Sequence, residues 1–209
     1  MKPFCSGGTE DVKLIQSVQA GEVADQEVNP FYFSAPVAPL VAARKSRRTI
    51  RLLDVAQTIK DMASRCEVLI VEGSGGLLVP LGEGFNLLEI IKRLNGSMIV
   101  VARNKLGTIN HTLLTCEALH RCGLERICVV LMTQGRSDAS VRSNREFIEE
   151  LLVRVPVFSL PYLGRNASQC SSVRRSEKKI KKTLAVISRF AIFTTRSSDR
   201  LPKAAKRRD

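Results

Sequence analysis

Glu72 stands at the end of an apolar run, residues 68–71, and is followed at once by Gly73, Ser74, Gly75 and Gly76. A carboxylate where a buried strand stops can reach a magnesium ion held by phosphates. Glycines just after it let the backbone bend sharply and come close to a ligand. The same stretch also reads as a glycine turn whose acid faces water. Residue type and spacing alone leave these two readings even. Two further charged residues could do chemistry. Lys2 lies near the start of the chain, and Asp11 opens "DVKLIQ". Read singly, Lys2 is a solvated terminal lysine and Asp11 an N-cap ahead of Val12, Leu14 and Ile15. His111, beside Asn110, reads as a residue at a helix start rather than as a catalyst.

The elements that must position these residues alternate along the chain. Short apolar runs at 68–71, 98–102, 127–132 and 157–160 suit strands buried on both faces of a parallel sheet. Between them lie helical patterns. "LLDVAQTIKDMA" spaces Leu52, Val55, Ile59 and Met62 at three, four and three. "NLLEIIKRL", "INHTLLTCEALHRCG" and "VRSNREFIEELLVRV" follow, and Gly123 stops the second of these. "SEKKIKKTLAVISRFAI" puts Ile180, Leu184, Ile187 and Ala191 on one face and predicts a closing helix. Strand and helix in alternation predict an α/β fold, a doubly wound and mostly parallel sheet. In such sheets ligands bind beyond the carboxyl ends of the strands, where Glu72 falls.

The 209 residues are 44% hydrophobic and 25% charged, which suits one α/β domain with a core of its own. The domain is expected over residues 1–193, followed by a basic, disordered tail over 194–209. The net charge is +13. Residues 171–209 carry thirteen Lys and Arg against three acids, so most of the excess lies in the last segment. That argues against a nucleic-acid-binding core. No apolar run is long enough to span a bilayer. The start has no apolar core of a secretory signal. Six scattered cysteines without a CxxC pair point to reduced thiols and a cytoplasmic protein.

"VEGSGGLLVPL", "KLGTINHTLLTCEAL" and "GLERICVVL" closely resemble the dethiobiotin synthetases, and "MKPFCSGG", "EDVKLIQ" and "VNPFYFSAPVAPLVAA" fit the same family in the same order. The resemblance covers about residues 1–163. It implies a P-loop NTPase-like fold and a homodimer, with ATP as co-substrate and Mg2+ as metal. The reaction it implies closes a ureido ring on 7,8-diaminononanoate with CO2, in biotin biosynthesis. By this resemblance Lys2 matches the active-site lysine and Ser6 a substrate-binding hydroxyl. Asp11 and Glu72 match magnesium and nucleotide ligands. Gly73, Ser74, Gly75 and Gly76 match the stretch along the nucleotide phosphates. Pro161, Tyr162 and Leu163 match a segment near the nucleobase. Gly107 and Asn110 look like the segment that meets the substrate carboxylate across the dimer interface.

The chain also departs from that pattern. The family opens with a strand and a glycine-rich loop ending in Gly-Lys-Thr, which wraps phosphates in backbone N–H groups. No such motif occurs in these 209 residues. About 30–40 further residues carrying that strand and loop are expected upstream. Without the strand, its neighbours are expected to expose core side chains. Met132 and Thr133 stand where the family places a base-reading asparagine, and Ser168 where it often has an acid. Two other readings follow. The chain is a degenerate relative acting as a binding or interaction protein, or its basic tail binds nucleic acid or a membrane surface.

Overall fold

The computed structural model describes residues 1–19, 22–136, 138–167 and 169–196. These form two compact units. The first takes Met1–Asn95, Leu119–Leu124 and Leu163–Lys179; the second takes Gly96–Ala118, Glu125–Tyr162 and the chain from Ile180 onward.

The first unit runs β1 (Phe4–Ser6), α1 (Glu10–Val18), α2 (Asp25–Val28), β2 (Phe31–Phe33), α3 (Pro39–Lys45), α4 (Leu52–Ala63), β3 (Pro80–Gly82), β4 (Phe85–Asn86) and α5 (Leu87–Leu94). β1 pairs parallel with β2, and Phe4 stacks on its register partner Phe31 at 5.0 Å between ring centres. β3 and β4 form a short antiparallel hairpin. The core gathers Phe4, Phe33, Val55, Ile59, Leu81, Phe85 and Ile90. Helix α4 keeps the bounds that its apolar spacing predicts, and its Val55, Ala56 and Ile59 are buried. Helix α5 begins on a capping box. Asn86 accepts from the Leu88 N–H at 2.9 Å, and Glu89 reaches back to the Asn86 N–H at 3.2 Å. Lys92 and Arg93 sit in its last turn, where the helix dipole favours cations.

The second unit is built on β5 (Met98–Asn104), β6 (Ile127–Thr133) and β7 (Val157–Leu160), all parallel and in that order across the sheet. α6 (Thr108–Arg121) follows β5, and a 3-10 turn (Ala139–Arg142) leads into α7 (Asn144–Leu151). α8 (Cys170–Arg196) closes the described chain, with Ile180 and Ile187 buried as the period predicts. It takes in Thr194 and Thr195. Residues 197–209, most of the expected tail, lie outside the described residues, and so does Ser168.

Two strand expectations need correction. Residues 68–71 form no strand. The Ile70 carbonyl accepts from the Met1 ammonium, and Val68 and Ile70 are 49% and 73% exposed. β5 is a strand but not a doubly buried one. Among the described residues it pairs with β6 alone, and Ile99 and Val101 are 39% and 64% exposed. β6, flanked by strands on both sides, is buried from Ile127 to Leu131 as expected. An apolar run reports what a strand can bury; how many neighbours it finds decides what it does bury.

Candidate functional site

The first three residues are held from both sides. The Met1 ammonium donates to the Ile70 carbonyl at 2.8 Å, and the Glu72 N–H donates to the Met1 carbonyl at 2.9 Å. On the other side the Lys2 N–H donates to the Val28 carbonyl at 2.9 Å, and the Phe31 N–H donates to the Pro3 carbonyl at 3.0 Å. Asn29, buried, locks the turn between them. Its Nδ2 donates to the Lys2 carbonyl at 2.7 Å and to the Pro3 carbonyl at 3.2 Å. No periodic pattern in the sequence marks this asparagine; between a helix and a strand it reads as a turn residue.

With its backbone fixed, Lys2 has one course. Its side chain is 10% exposed, and a buried ammonium requires partners. It finds two. Asp11 Oδ2 lies 2.8 Å from Nζ, and Glu72 Oε1 lies 2.5 Å from it. Both acids remain open to water, with side chains 59% and 54% exposed. Burial pulls the Lys2 pKa down, but the hydrogen bonds and charges of Asp11 and Glu72 outweigh it and hold the ammonium above the ordinary lysine range. Asp11 sits in the first turn of α1, whose N-cap is Thr9, so it is not the capping residue. Three residues, separated by 9 and 61 positions in the chain, therefore meet at one charged point.

Around that point, Ser6 ends β1 with its hydroxyl oxygen shut off from solvent and without a hydrogen-bond partner among the described residues. The chain bends over 74–76 and then turns, with the Val79 N–H donating to the Gly76 carbonyl at 3.1 Å. Ser74 donates its hydroxyl to the Phe4 carbonyl, which ties the loop to β1. Gly73 faces Leu87 so closely that a Cβ would lie 2.5 Å from Leu87 Cδ2, and Gly75 has φ +75. Backbone shape thus favours glycine at Gly75 and close packing favours it at Gly73, while a Cβ at Gly76 would meet open space.

In the second unit the exposed Asn110 lies in the first turn of α6, and the loop between β5 and α6 carries Gly107, at φ +90. Buried amides anchor it. Asn144, 2% exposed, donates from Nδ2 to Asn104 Oδ1 at 2.8 Å and to the Lys105 carbonyl at 3.3 Å. Asn104 donates to the Val141 carbonyl at 3.3 Å. Asp138 accepts from the Leu106 N–H at 3.0 Å, and its bonds to Ser140 and Leu106 hold its carboxyl below the usual range. None of Asn104, Asp138 and Asn144 is visible as a functional signal in the sequence. After β7, Pro161 and Tyr162 are exposed, and the Tyr162 ring lies against Gly135, where a Cβ would come within 2.8 Å of it. Met132 and Thr133 are half-buried at the end of β6, and Gln134 donates to the Met132 carbonyl at 3.1 Å. Leu163, half-buried, belongs to the first unit.

The Lys2 cluster bears on a metal. Among the described residues no group of three or more His, Cys, Asp and Glu side chains is placed to hold an ion. Magnesium, however, keeps several waters and takes one or two carboxylates with phosphate oxygens. Asp11 and Glu72 already converge on one cation, the Lys2 ammonium, which stands in for such an ion. The donor set therefore fits magnesium, with the remaining ligands coming from water and phosphate.

The AAA domain family matches residues 1–165. The ATP-dependent dethiobiotin synthetase BioD of Bacillus licheniformis is 38% identical over 154 residues, 71% of this chain and 66% of that protein. That of Anaeromyxobacter dehalogenans (strain 2CP-C) is 37% identical over 181 residues, 83% of this chain and 81% of that one. That of Bacillus subtilis (strain 168) is 36% identical over 156 residues, 72% and 68%. The chain thus spans from just under two thirds to about four fifths of the length of these relatives. Among the described residues no helix is long and apolar enough to cross a membrane.

Proposed function

The chain belongs to the dethiobiotin synthetase family, and from that premise we propose that it serves ATP-dependent closure of the ureido ring of dethiobiotin in biotin biosynthesis. The observation that carries this reading is the meeting of Lys2, Asp11 and Glu72 at one point. In the proposed reaction one amine of 7,8-diaminononanoate adds to CO2 and loses a proton, giving a carbamate. A carbamate oxygen attacks the γ-phosphorus of ATP, and ADP leaves. The second amine then attacks the carbonyl carbon, phosphate leaves, a proton is lost and the ring closes. Each step spreads negative charge over oxygens, so positioning and charge neutralisation are the protein's main work.

Lys2 supplies an ammonium for carbamate and phosphate oxygens. Asp11 and Glu72 would hold Mg2+, which neutralises charge on nucleotide phosphates when bound. The Ser6 hydroxyl, without a partner among the described residues, would meet an amine or carbamate. The stretch 73–76 would follow the phosphates. Pro161, Tyr162 and Leu163 would line the nucleobase, and Gly107 with Asn110 would meet the substrate carboxylate in a homodimer. Leu106 and Leu114, 78% and 61% exposed, offer apolar surface next to that loop for a second copy. Scattered free thiols, the exposed Cys66 among them, support a cytoplasmic setting.

The phosphate-wrapping Gly-Lys-Thr loop does not occur in the 209 residues. The second reading is a relative that binds partners without ATP chemistry. The two separate on one experiment. The chain is assayed for dethiobiotin with diaminononanoate, CO2, ATP and Mg2+, alone and joined to the N-terminal strand and loop of a relative. The 209 residues alone should bind ATP weakly, as calorimetry will read. The joined chain should make dethiobiotin and lose that activity in Glu72→Gln. No dethiobiotin from the joined, folded chain would favour the second reading.

A further inference from the structure

The same atom that completes the Asp11–Glu72 cluster also blocks it. Lys2 Nζ lies 2.8 Å from Asp11 Oδ2 and 2.5 Å from Glu72 Oε1, so the point nearest both carboxylates is filled by an ammonium. A magnesium ion binds carboxylate oxygens at about 2.0–2.1 Å and cannot share that point with a second cation. The three residues differ in freedom. Both carboxylates are more than half exposed, whereas the Lys2 side chain is 10% exposed, and its backbone is pinned by Val28, Asn29 and Glu72 through Met1. What can move is the four-carbon stem of Lys2, which swings without disturbing the backbone.

We propose that Lys2 is a resident counter-cation of the metal seat: it holds Asp11 and Glu72 together while the seat is empty, and a divalent ion entering between them displaces its ammonium into the adjoining space. The inference rests on the reading of Asp11 and Glu72 as metal ligands and goes beyond it by coupling metal entry to the release of Lys2. Empty, the cluster is a satisfied ion triad and needs no rearrangement of the acids. Filled, it has expelled a cation that is then free to meet an anion. The ammonium becomes available to carbamate and phosphate oxygens when the metal is in place, so charge neutralisation from the two sources arrives together. No covalent bond changes in this step; one cation exchanges for another between two carboxylates.

The competition has a readout that needs no turnover. Mn2+ binding is followed by electron paramagnetic resonance on the full chain and on Lys2→Met, Lys2→Arg and Glu72→Gln. Removing a positive charge about 3 Å from both ligands should tighten Mn2+ binding in Lys2→Met by on the order of tenfold. Lys2→Arg, which keeps a cation there, should show no such gain. In the parent chain, acylation of the Lys2 amine, read by peptide mass spectrometry, should rise several-fold when magnesium is added. That second measurement stands even if Lys2→Met folds poorly. Equal or weaker Mn2+ affinity in a folded Lys2→Met, or labelling of Lys2 unchanged by magnesium, overturns the exchange while leaving the metal reading intact. Mn2+ binding that ignores Glu72→Gln, or is absent from every chain, overturns the metal reading itself and the exchange with it.

Discussion

The Lys2 cluster and the Asn144 anchor are both polar, and they are built on opposite terms. At Lys2 one buried cation faces two carboxylates that stand more than half in water. At Asn144 the donor and its Asn104 acceptor are both inside, with Asn144 2% and Asn104 4% exposed. Water or a ligand can replace Lys2 as partner to Asp11 and Glu72, because those acids already reach solvent. Nothing can replace Asn144 as partner to Asn104. The first arrangement is suited to exchange partners and the second to hold a loop still. Substitutions should therefore separate them: in the first, function should go and the fold remain; in the second, the fold should suffer.

The largest effect expected is at Glu72. In the chain joined to a phosphate loop, Glu72→Gln keeps side-chain shape but offers a hard cation a neutral amide. Metal-assisted charge neutralisation is worth several kcal/mol at a phosphoryl transition state, so turnover should fall on the order of hundredfold or more. Dethiobiotin formation against magnesium concentration reads this, with circular dichroism to follow the fold. Parent-like turnover at every magnesium level would reduce Glu72 to a turn residue. Asn144→Leu comes next, on the other side of the comparison. It strands Asn104 Oδ1 and leaves the Lys105 carbonyl without its amide donor. A buried polar group left unpaired costs about 1–3 kcal/mol. Urea unfolding should show that loss, and an unchanged midpoint would mean that the loop after β5 is held by other means.

How much of this was legible beforehand follows from the same contrast. Helix α4 could be read to the residue, because a repeating apolar face is written in the local sequence. β6 could be read too, since an unbroken apolar run with neighbours on both sides is buried on both faces. β5 looks the same in sequence, yet Ile99 and Val101 are exposed, because the number of strand neighbours is not a local property. Lys2, Asp11 and Glu72 each had a bland local reading. Their convergence depends on pairings across 9 and 70 positions, which no spacing rule predicts. Asn29, Asn104 and Asn144 were missed altogether. Asparagine is a common turn residue, and its use as a buried clamp shows only when its carbonyl partners are in place.

The third effect is smaller and depends on pH. Lys2 holds its proton more tightly folded than unfolded, despite the burial that works against it. Its contribution to stability is therefore complete below the unfolded lysine pKa of about 10.4 and is lost as pH rises through the higher folded value. The difference in urea midpoint between the parent chain and Lys2→Met should be constant from neutral pH to about 10 and shrink above it. A difference that grows with pH would mean that the ammonium gains nothing from Asp11 and Glu72.

The smallest effect belongs to Arg145, next in sequence to Asn144 and opposite to it in every respect that matters. Its Nε lies 2.9 Å from Glu149 Oε1 one turn along α7, which on distance alone rivals the bonds of Asn144. Both side chains are about half exposed, 52% and 43%, so water competes for each charge. Exposed pairs at this spacing are worth about 0.3–0.5 kcal/mol, and the order here, cation before anion along the helix, is the less favourable one against the helix dipole. Arg145→Ala should thus shift the urea midpoint by less than the experiment resolves, in low salt and in high. A shift comparable to that of Asn144→Leu would show that a hydrogen-bond distance outweighs burial in this helix, and the division between exchangeable and fixed polar groups would fail where the two residues stand side by side.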